Sequence, residues 1–188
     1  NAYGKVISKS WLARAKKEEV SFSPEAGWDD VKLKTFRRHI VELGKTGFTF
    51  IYDELEAEEP VTWSYLLHTV TNPMNVNMVN EFVHVQATSK NGISDAYLLG
   101  SDELKTDTTS QFFTPATNWL RADDKGNFKK YPNHWHFTAT SGKHKVYRFV
   151  TIIHTHINKT TPDKPFSIPQ RLKDGSIKMG SWIIKANV

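Results

Sequence analysis

The stretch Phe48–Tyr52, which reads Phe-Thr-Phe-Ile-Tyr, sets the pattern of the chain. Its three aromatic residues occupy alternate positions, and alternate side chains of an extended strand point to the same face. The preceding segment Gly-Lys-Thr-Gly, residues 44–47, contains the residue types that a tight turn requires. The stretch therefore predicts a β-strand that enters the fold through a hairpin.

Further segments of the same kind follow along the chain. Residues 63–70 are apolar on both faces, which predicts a central strand covered on both sides and ended by Asn72-Pro73. A turn at residues 141–143 would make a hairpin of its two neighbours. The remaining predicted strands are residues 82–87, 96–99, 111–114, 134–140, 146–153 and 175–186.

These segments predict an all-β fold: an antiparallel β-sandwich of about ten or more strands with few or no helices. Residues 10–20 are the best helical candidate. Pro162, Pro165 and Pro169 interrupt the late part of the chain. We therefore predict a main sandwich over residues 1–157. The proline-rich crossing and C-terminal strands of residues 158–188 complete it or form a small appendage.

Composition excludes several kinds of site. The 188 residues contain no cysteine, which rules out disulfides, thiolate nucleophiles and zinc–thiolate centres. The net charge of +5 is scattered, so it favours anionic partners only weakly and also fits simple solubility. Apolar runs are too short to span a bilayer. The chain starts at Asn1 without a signal-peptide pattern, and we interpret it as a piece of a longer protein.

Two H-x-H pairs, His134/His136 and His154/His156, are the most informative polar spacing. Residues two apart on a strand share a face, so each pair could offer two imidazoles to one metal ion. A hairpin at residues 141–143 would keep the two pairs apart, whereas a longer turn would bring them closer. No carboxylate is interleaved with them. The pattern favours solvent-facing histidines, and no metal is predicted in this chain.

Two other polar residues interrupt apolar segments. His68 lies between Leu66 and Val70, which predicts a core histidine bonded to the backbone, with a metal ligand or site residue as the alternative. Asp53 follows the strand Phe48–Tyr52 and is predicted to begin the loop to Pro60.

A sugar-contacting surface could be built from aromatic and polar residues of the later strands. Aromatic faces stack on pyranose rings and arginine pairs with carboxylates, so we predict that substrate is bound by Trp119, Arg121, His134 and His136. The alternative for Trp119 is a half-buried loop residue. Trp135 and Trp182 are predicted to belong to the core. Clustered basic residues with exposed aromatics are absent, which argues against a nucleic-acid partner.

Three segments between Arg37 and Thr69 go beyond a generic strand pattern. They read Arg-Arg-His-Ile-Val-Glu-Leu, Phe-Thr-Phe-Ile-Tyr-Asp-Glu-Leu-Glu-Ala and Pro-Val-Thr-Trp-Ser-Tyr-Leu-Leu-His-Thr. Together they resemble the C-terminal β-sandwich region of heparinase II/III-like polysaccharide lyases. The closing segment Gly-Ser-Trp-Ile-Ile-Lys-Ala is similar to a late strand of such chains.

This resemblance implies a function for a longer parent protein. In the family, an N-terminal α/α toroid supplies the tyrosine and histidine that transfer protons, and uronate-containing polysaccharides such as glycosaminoglycans are cleaved by β-elimination. The present chain would support the toroid and line the substrate cleft, without catalytic residues or lyase activity of its own. A structural metal in the parent would be held by a motif that this chain lacks.

The expected partners are accordingly an acidic polysaccharide and the missing toroid, with no nucleic acid and no membrane span. The expected location is periplasmic or extracellular. Two alternatives remain open: a non-catalytic carbohydrate-binding module and a purely structural sandwich.

Overall fold

The computed structural model describes residues 33–43, 47–70, 72–110, 121–122, 124–129, 134–157 and 167–186. Within these ranges lie twelve strands: β1 Leu33–Glu42, β2 Phe48–Thr69, β3 Asn75–Val79, β4 Phe82–Thr88, β5 Gly92–Gly100, β6 Lys105–Thr109, β7 Arg121–Ala122, β8 Phe128–Lys129, β9 Trp135–Ile157, β10 Gln170–Arg171, β11 Ile177–Met179 and β12 Trp182–Ile184.

Every strand pairing in these ranges is antiparallel, and no helix occurs in them. The predicted all-β, antiparallel class is therefore confirmed at that level. No helix of the length and apolar character needed to cross a membrane is found among the same residues.

One seven-stranded sheet contains most of the described chain. Its strand order is β1-β2-β9-β5-β4-β3, and β6 pairs separately with β9. The first half of β9 lies between β2 and β6, while its second half lies between β2 and β5. Strands β10, β11 and β12 form a three-stranded sheet, and β7 pairs with β8.

The paired strands β2 and β9 form a long ribbon that folds back on itself. Tyr65 lies opposite Ala139 and Phe149 lies opposite Asp53, so the two aromatic residues are twelve positions apart along the ribbon. A straight ribbon would separate them by about 40 Å. Their ring centroids are 5.6 Å apart, which requires a sharp bend between them.

The bend creates an inner core between the two halves of the ribbon. Side chains at alternate positions of β2 and β9 point into it from both halves. Its members are Leu33, Leu55, Ala57, Trp63, Tyr65, Met74, Val83, Val85, Ala96, Leu98, Phe137, Ala139, Tyr147 and Phe149.

An outer core lies on the opposite face of β5 and the second half of β9. Ile177 and Met179 of β11 pack there, so the C-terminal segment covers this face of the main sheet. The other members are Phe50, Phe82, Tyr97, Leu99, Val150 and Ile152. Because β5 is buried on both faces, its sequence Ala-Tyr-Leu-Leu is continuously apolar rather than alternating.

Two hairpins join neighbouring strands, and the one between β1 and β2 agrees with the hairpin predicted before Phe48. The β1–β2 hairpin is closed by the amide of Leu43, which donates to the carbonyl of Phe48 at 3.0 Å. The β4–β5 hairpin is closed by the amide of Ser89, which donates to Gly92 at 2.8 Å. The predicted end of β2 before Asn72-Pro73 is also confirmed, because β2 ends at Thr69.

The predicted turn at residues 141–143 is wrong, because β9 runs unbroken from Trp135 to Ile157. The segment bends the strand instead of reversing the chain. At the bend, the Trp63 amide donates to Ser141 Oγ at 3.0 Å and the Trp63 indole donates to the His144 carbonyl at 3.0 Å. These side-chain bonds hold the two strands together at a point where the pairing register slips.

The predicted loop from Asp53 to Pro60 is also wrong, because β2 continues through it. The register against β9 slips between Glu56 and Val61, so the intervening residues have no partner on β9. Proline lacks an amide hydrogen and is tolerated at such a bulge. A bulge also bends its strand, which places Pro60 where the ribbon turns.

Two predictions about burial fail. Among the described residues, the second half of β2 is covered on one face only, since Leu66 is 53% exposed while Trp63 and Tyr65 are buried. Trp182, predicted to be core, is 45% exposed at the end of the chain. The predicted helix at residues 10–20, the predicted strand at 111–114 and Trp119 lie outside the described residues, and the domain boundary at residue 157 stays a prediction.

The inner core can be tested with Phe137, which is completely buried in it. Replacing Phe137 with alanine should lower the free energy of unfolding by about 3–5 kcal/mol, because a large cavity forms. Val146 lies on the same strand but is exposed, so Val146→Ala should cost less than about 0.5 kcal/mol. Urea unfolding measures both variants, and equal losses would contradict the assignment of the core.

Candidate functional site

The buried carboxylate of Asp53 is paired with Arg38 on the neighbouring strand β1. Arg38 Nε and Nη2 donate to the two carboxylate oxygens at 2.6 and 2.8 Å, in the two-pronged geometry that arginine favours. The guanidinium also lies over the ring of Tyr65, 5.4 Å from its centroid. The hydrogen bond and charge of Asp53 raise the pKa of Arg38 despite its partial burial. Asp53 is thus a mid-strand anchor and not a turn residue.

Three histidines lie close together on the outward side of β2 and at the start of β9, and we call them the histidine face: His68 on β2, His136 on β9 and His134 just before β9. His68 is paired directly with His136, and their rings meet edge to face with centroids 4.6 Å apart. His68 is exposed, which contradicts its predicted position in the core. Burial, followed by the charges of His68 and His134, lowers the pKa of His136.

The predicted sugar-contacting residues are thus only partly located. His134 is exposed and His136 is half-buried, and both belong to the histidine face. Arg121 is in β7 opposite Lys129, but its side chain is outside the described part of the structure, as is Trp119. The set Trp119, Arg121, His134 and His136 therefore stays a prediction, and His68 is a further histidine in contact with His136.

The second H-x-H pair lies beside an aspartate, Asp95, that the spacing of the histidines does not indicate. Asp95 Oδ2 is 3.1 Å from His156 Nε2. Asp95 Oδ1 accepts hydrogen bonds from His84 Nε2 at 2.8 Å and from Gln86 Nε2 at 2.9 Å. We call Asp95, His154 and His156 the Asp–His cluster.

The register of three strands assembles this cluster. Gln86 on β4, Asp95 on β5 and His154 on β9 are direct cross-strand neighbours. His84 and His156 are each two residues away on the same faces, next to the outer core. Since side chains on paired strands meet only at matched positions, a slip of one residue would disperse the group.

Electrostatics keep Asp95 ionised. Burial alone would raise its pKa, but the hydrogen bonds from His84, Gln86 and His156 outweigh that effect and lower the pKa to about 2. Burial and the Asp95 charge in turn raise the pKa of Tyr97 to about 12. Tyr97 stacks on His84 with centroids 4.6 Å apart, so a neutral phenol flanks the charged group.

His154 completes the cluster from the opposite side. Its ring stacks on Phe48 with centroids 4.3 Å apart and on His156 at 5.0 Å. Burial and the charge of His156 lower the pKa of His154, although Asp95 opposes them. Ligand atoms of Asp95, His154 and His156 all lie within 4.8 Å of one another. Two imidazoles and a carboxylate at this separation are a donor set that a transition-metal ion can use.

A third polar group, made of Asp102, His144 and Tyr147, lies near the bend of the ribbon. Tyr147 Oη donates to Asp102 Oδ1 at 2.5 Å, and His144 Nε2 is 2.6 Å from Asp102 Oδ2. Burial raises the pKa of Tyr147, as does its bond to Asp102. Burial would also raise the pKa of Asp102, but the bonds from Tyr147 and His144 lower it. A neutral phenol and an ionised carboxylate therefore tie residue 102 to β9.

Comparison with known proteins adds no family. No protein-family model matches this chain, and no curated protein matches it in sequence.

The Arg38–Asp53 pair should contribute measurably to stability. Arg38→Ala leaves a buried carboxylate without its two-pronged partner, and we expect a loss of about 2 kcal/mol in the free energy of unfolding. Arg37 is the matched control, since it pairs with Glu54 at the surface and its loss should cost less than about 1 kcal/mol. Chemical denaturation of both variants checks this, and equal stabilities would refute the anchoring role.

The hydrogen bonds of Asp102 to Tyr147 and His144 predict an acid-sensitive contribution to the free energy of unfolding. Because the folded-state pKa of Asp102 is lowered, its contribution is present above the unfolded value of about 3.9 and is lost as pH falls below it. Asp102→Asn should therefore flatten the fall in unfolding free energy between about pH 5 and pH 2. Val146→Ala, an exposed change that removes no titratable group, should leave that slope unaltered. Equal slopes of unfolding free energy against pH in the wild type and Asp102→Asn would contradict this contribution of Asp102.

Proposed function

We propose that this chain is a β-sandwich domain of a heparinase II/III-like polysaccharide lyase. The observation that carries the proposal is the contact between Arg38, Asp53 and Tyr65. Each residue comes from a different one of the three segments that resemble the family. If the three segments form one family motif, their side chains should contact one another in the folded chain, as these three residues do.

The proposed sandwich has two layers made from one sheet. The first half of β2 and the second half of β9 contribute to one layer, together with β1, β5, β4 and β3. The second half of β2, the first half of β9 and β6 make the other layer. The contact between Tyr65 and Phe149 supports this arrangement, since it joins the two layers across the inner core.

The proposed role is to support a toroid and line one wall of its cleft. β-Elimination needs a base for the C5 proton, an acid for the leaving oxygen and neutralisation of the uronate carboxylate. By the resemblance, the proton-transfer groups belong to the toroid, so the present chain would bind substrate without cleaving it. A polysaccharide substrate would place the protein in the periplasm or outside the cell.

The histidine face is the proposed contact surface for acidic polysaccharide. Imidazole rings donate and accept hydrogen bonds, and they present flat faces to sugar rings. Neighbouring outward positions add the hydroxyls of Ser64 and Thr140 and the exposed Lys105, which lies opposite Thr140. Protonation of His136 adds positive charge only in acid, because its pKa is lowered.

A non-catalytic carbohydrate-binding module is the second candidate. The exposure of the histidine face favours it, because a module must bind glycan with its own surface alone. The two candidates differ in affinity: one wall of a cleft should bind weakly, with a Kd of about 1 mM, whereas a complete module should reach the micromolar range.

Affinity electrophoresis tests the surface. We expect heparan sulfate and alginate to retard the chain more at pH 5.5 than at pH 7.5, and neutral glucan not to retard it. His134→Ala/His136→Ala should weaken retardation about fivefold for each hydrogen bond lost. The matched control is His154→Ala/His156→Ala, which alters the other H-x-H pair and should leave retardation unchanged.

Two results would reject the proposal. Retardation by none of the acidic polysaccharides at either pH would remove both candidates. Turnover by the chain alone, followed as ultraviolet absorbance of the unsaturated product, would show that catalytic groups reside in this chain and not in a toroid. Micromolar binding without turnover would select the module.

A further inference from the structure

We propose that Asp95, His154 and His156 form a binding site for a divalent first-row transition-metal ion such as Zn²⁺. The site is independent of the polysaccharide proposal, because the Asp–His cluster adjoins the outer core on the second half of β9, whereas the histidine face is on the first half. It also revises the expectation that this chain holds no metal. The spacing of the two histidines gives no sign of Asp95, the carboxylate that completes the ligand set.

The distances between the ligand atoms of Asp95, His154 and His156 suit a shared metal ion. Zinc binds imidazole nitrogen and carboxylate oxygen at about 2.0–2.2 Å, so two ligand atoms in a tetrahedral site are about 3.4 Å apart. Asp95 Oδ2 and His156 Nε2 are 3.1 Å apart, and the whole set spans no more than 4.8 Å. Asp95 and His154 are direct cross-strand partners, so side-chain rotation alone can bring the three atoms onto one ion.

The surroundings orient the carboxylate toward the histidines. His84 and Gln86 both bond to Oδ1, which directs Oδ2 toward His156. His84 is itself held, since its Nδ1 is 2.9 Å from Asn77 Oδ1 on β3. Carboxylates and imidazoles that bind metals are commonly fixed by such outer hydrogen bonds. These hydrogen bonds link Asn77 to His84 and His84 to Asp95, and they therefore extend the site across β3, β4 and β5.

The donor set selects the class of metal. Two imidazole nitrogens with one carboxylate suit Zn²⁺, Co²⁺ or Ni²⁺, whereas Ca²⁺ and Mg²⁺ prefer oxygen ligands throughout. Three protein ligands leave a fourth position for water or another ligand. Among the residues that the structure describes, no other group of three such side chains brings its ligand atoms this close.

Metal titration of the full chain tests the proposal. After treatment with a chelator, we expect one equivalent of Co²⁺ to produce the visible d–d absorption of a four-coordinate ion, and Zn²⁺ to displace it. Zn²⁺ should also raise the thermal unfolding temperature, since it binds the folded state. His154→Gln/His156→Gln should weaken binding by at least about 100-fold.

The first H-x-H pair provides a matched control. His134→Gln/His136→Gln removes two histidines at the same spacing, one on β9 and one just before it, but without a carboxylate in the cluster, and it should bind Co²⁺ like the wild type. His156→Gln alone is a milder variant, because this side chain is one-third exposed. Far-UV circular dichroism confirms that each variant is folded.

The outcomes are decisive. Stoichiometric binding lost in His154→Gln/His156→Gln and kept in His134→Gln/His136→Gln supports the site. Failure of the wild-type chain to bind one equivalent, or retention of binding in His154→Gln/His156→Gln, overturns it. Polysaccharide retardation follows the other histidine pair, so either proposal can fail without the other.

Discussion

The hydrogen bonds of Trp63 hold the fold together at the place where its longest strands bend. Both its amide and its indole donate to β9, at Ser141 and His144, where the regular ladder is interrupted. Unpaired polar groups at a buried bend would be costly, so these two bonds allow the ribbon to turn without that cost. The inner core exists only because of this turn. The outward placement of the histidine face and the Asp–His cluster follows from the same bend.

Local sequence predicted the strands far better than it predicted their ends. The alternation in Phe48–Tyr52 is a direct consequence of one buried face, and it identified β2 correctly. Asp53, Pro60 and Gly142 resemble strand breakers, yet all three lie within continuous strands. Whether such a residue marks a turn or a bulge depends on partners far along the chain, such as Arg38 for Asp53. No pattern within β2 or β9 contains that information.

In the candidate sites, too, local spacing predicts some features while others depend on residues far along the chain. Spacing alone indicated correctly that His154 and His156 would share a face, because that follows from strand geometry and their rings stack with centroids 5.0 Å apart. It could not indicate that Asp95 meets His156, since they are 61 residues apart and meet only through the register of β5 on β9. His68 was misplaced because its apolar neighbours suggested burial, while no described element covers that side of β2. A charged residue next to the continuously apolar run Ala96–Leu99 was the one available signal for Asp95.

The long β2–β9 pairing also determines how this chain must acquire its structure. Trp63 and Ser141 are 78 residues apart, and the pairing of β2 with β9 is the largest in the sheet. Sheets dominated by such distant contacts fold slowly, because a large loop must close before the contacts stabilise it. Until β9 has been synthesised, Tyr65 and Leu55 have no strand to cover them. A nascent chain that ends at β6 would therefore expose the unpaired edge and apolar face of β2, the surfaces that chaperones bind and that aggregates grow from.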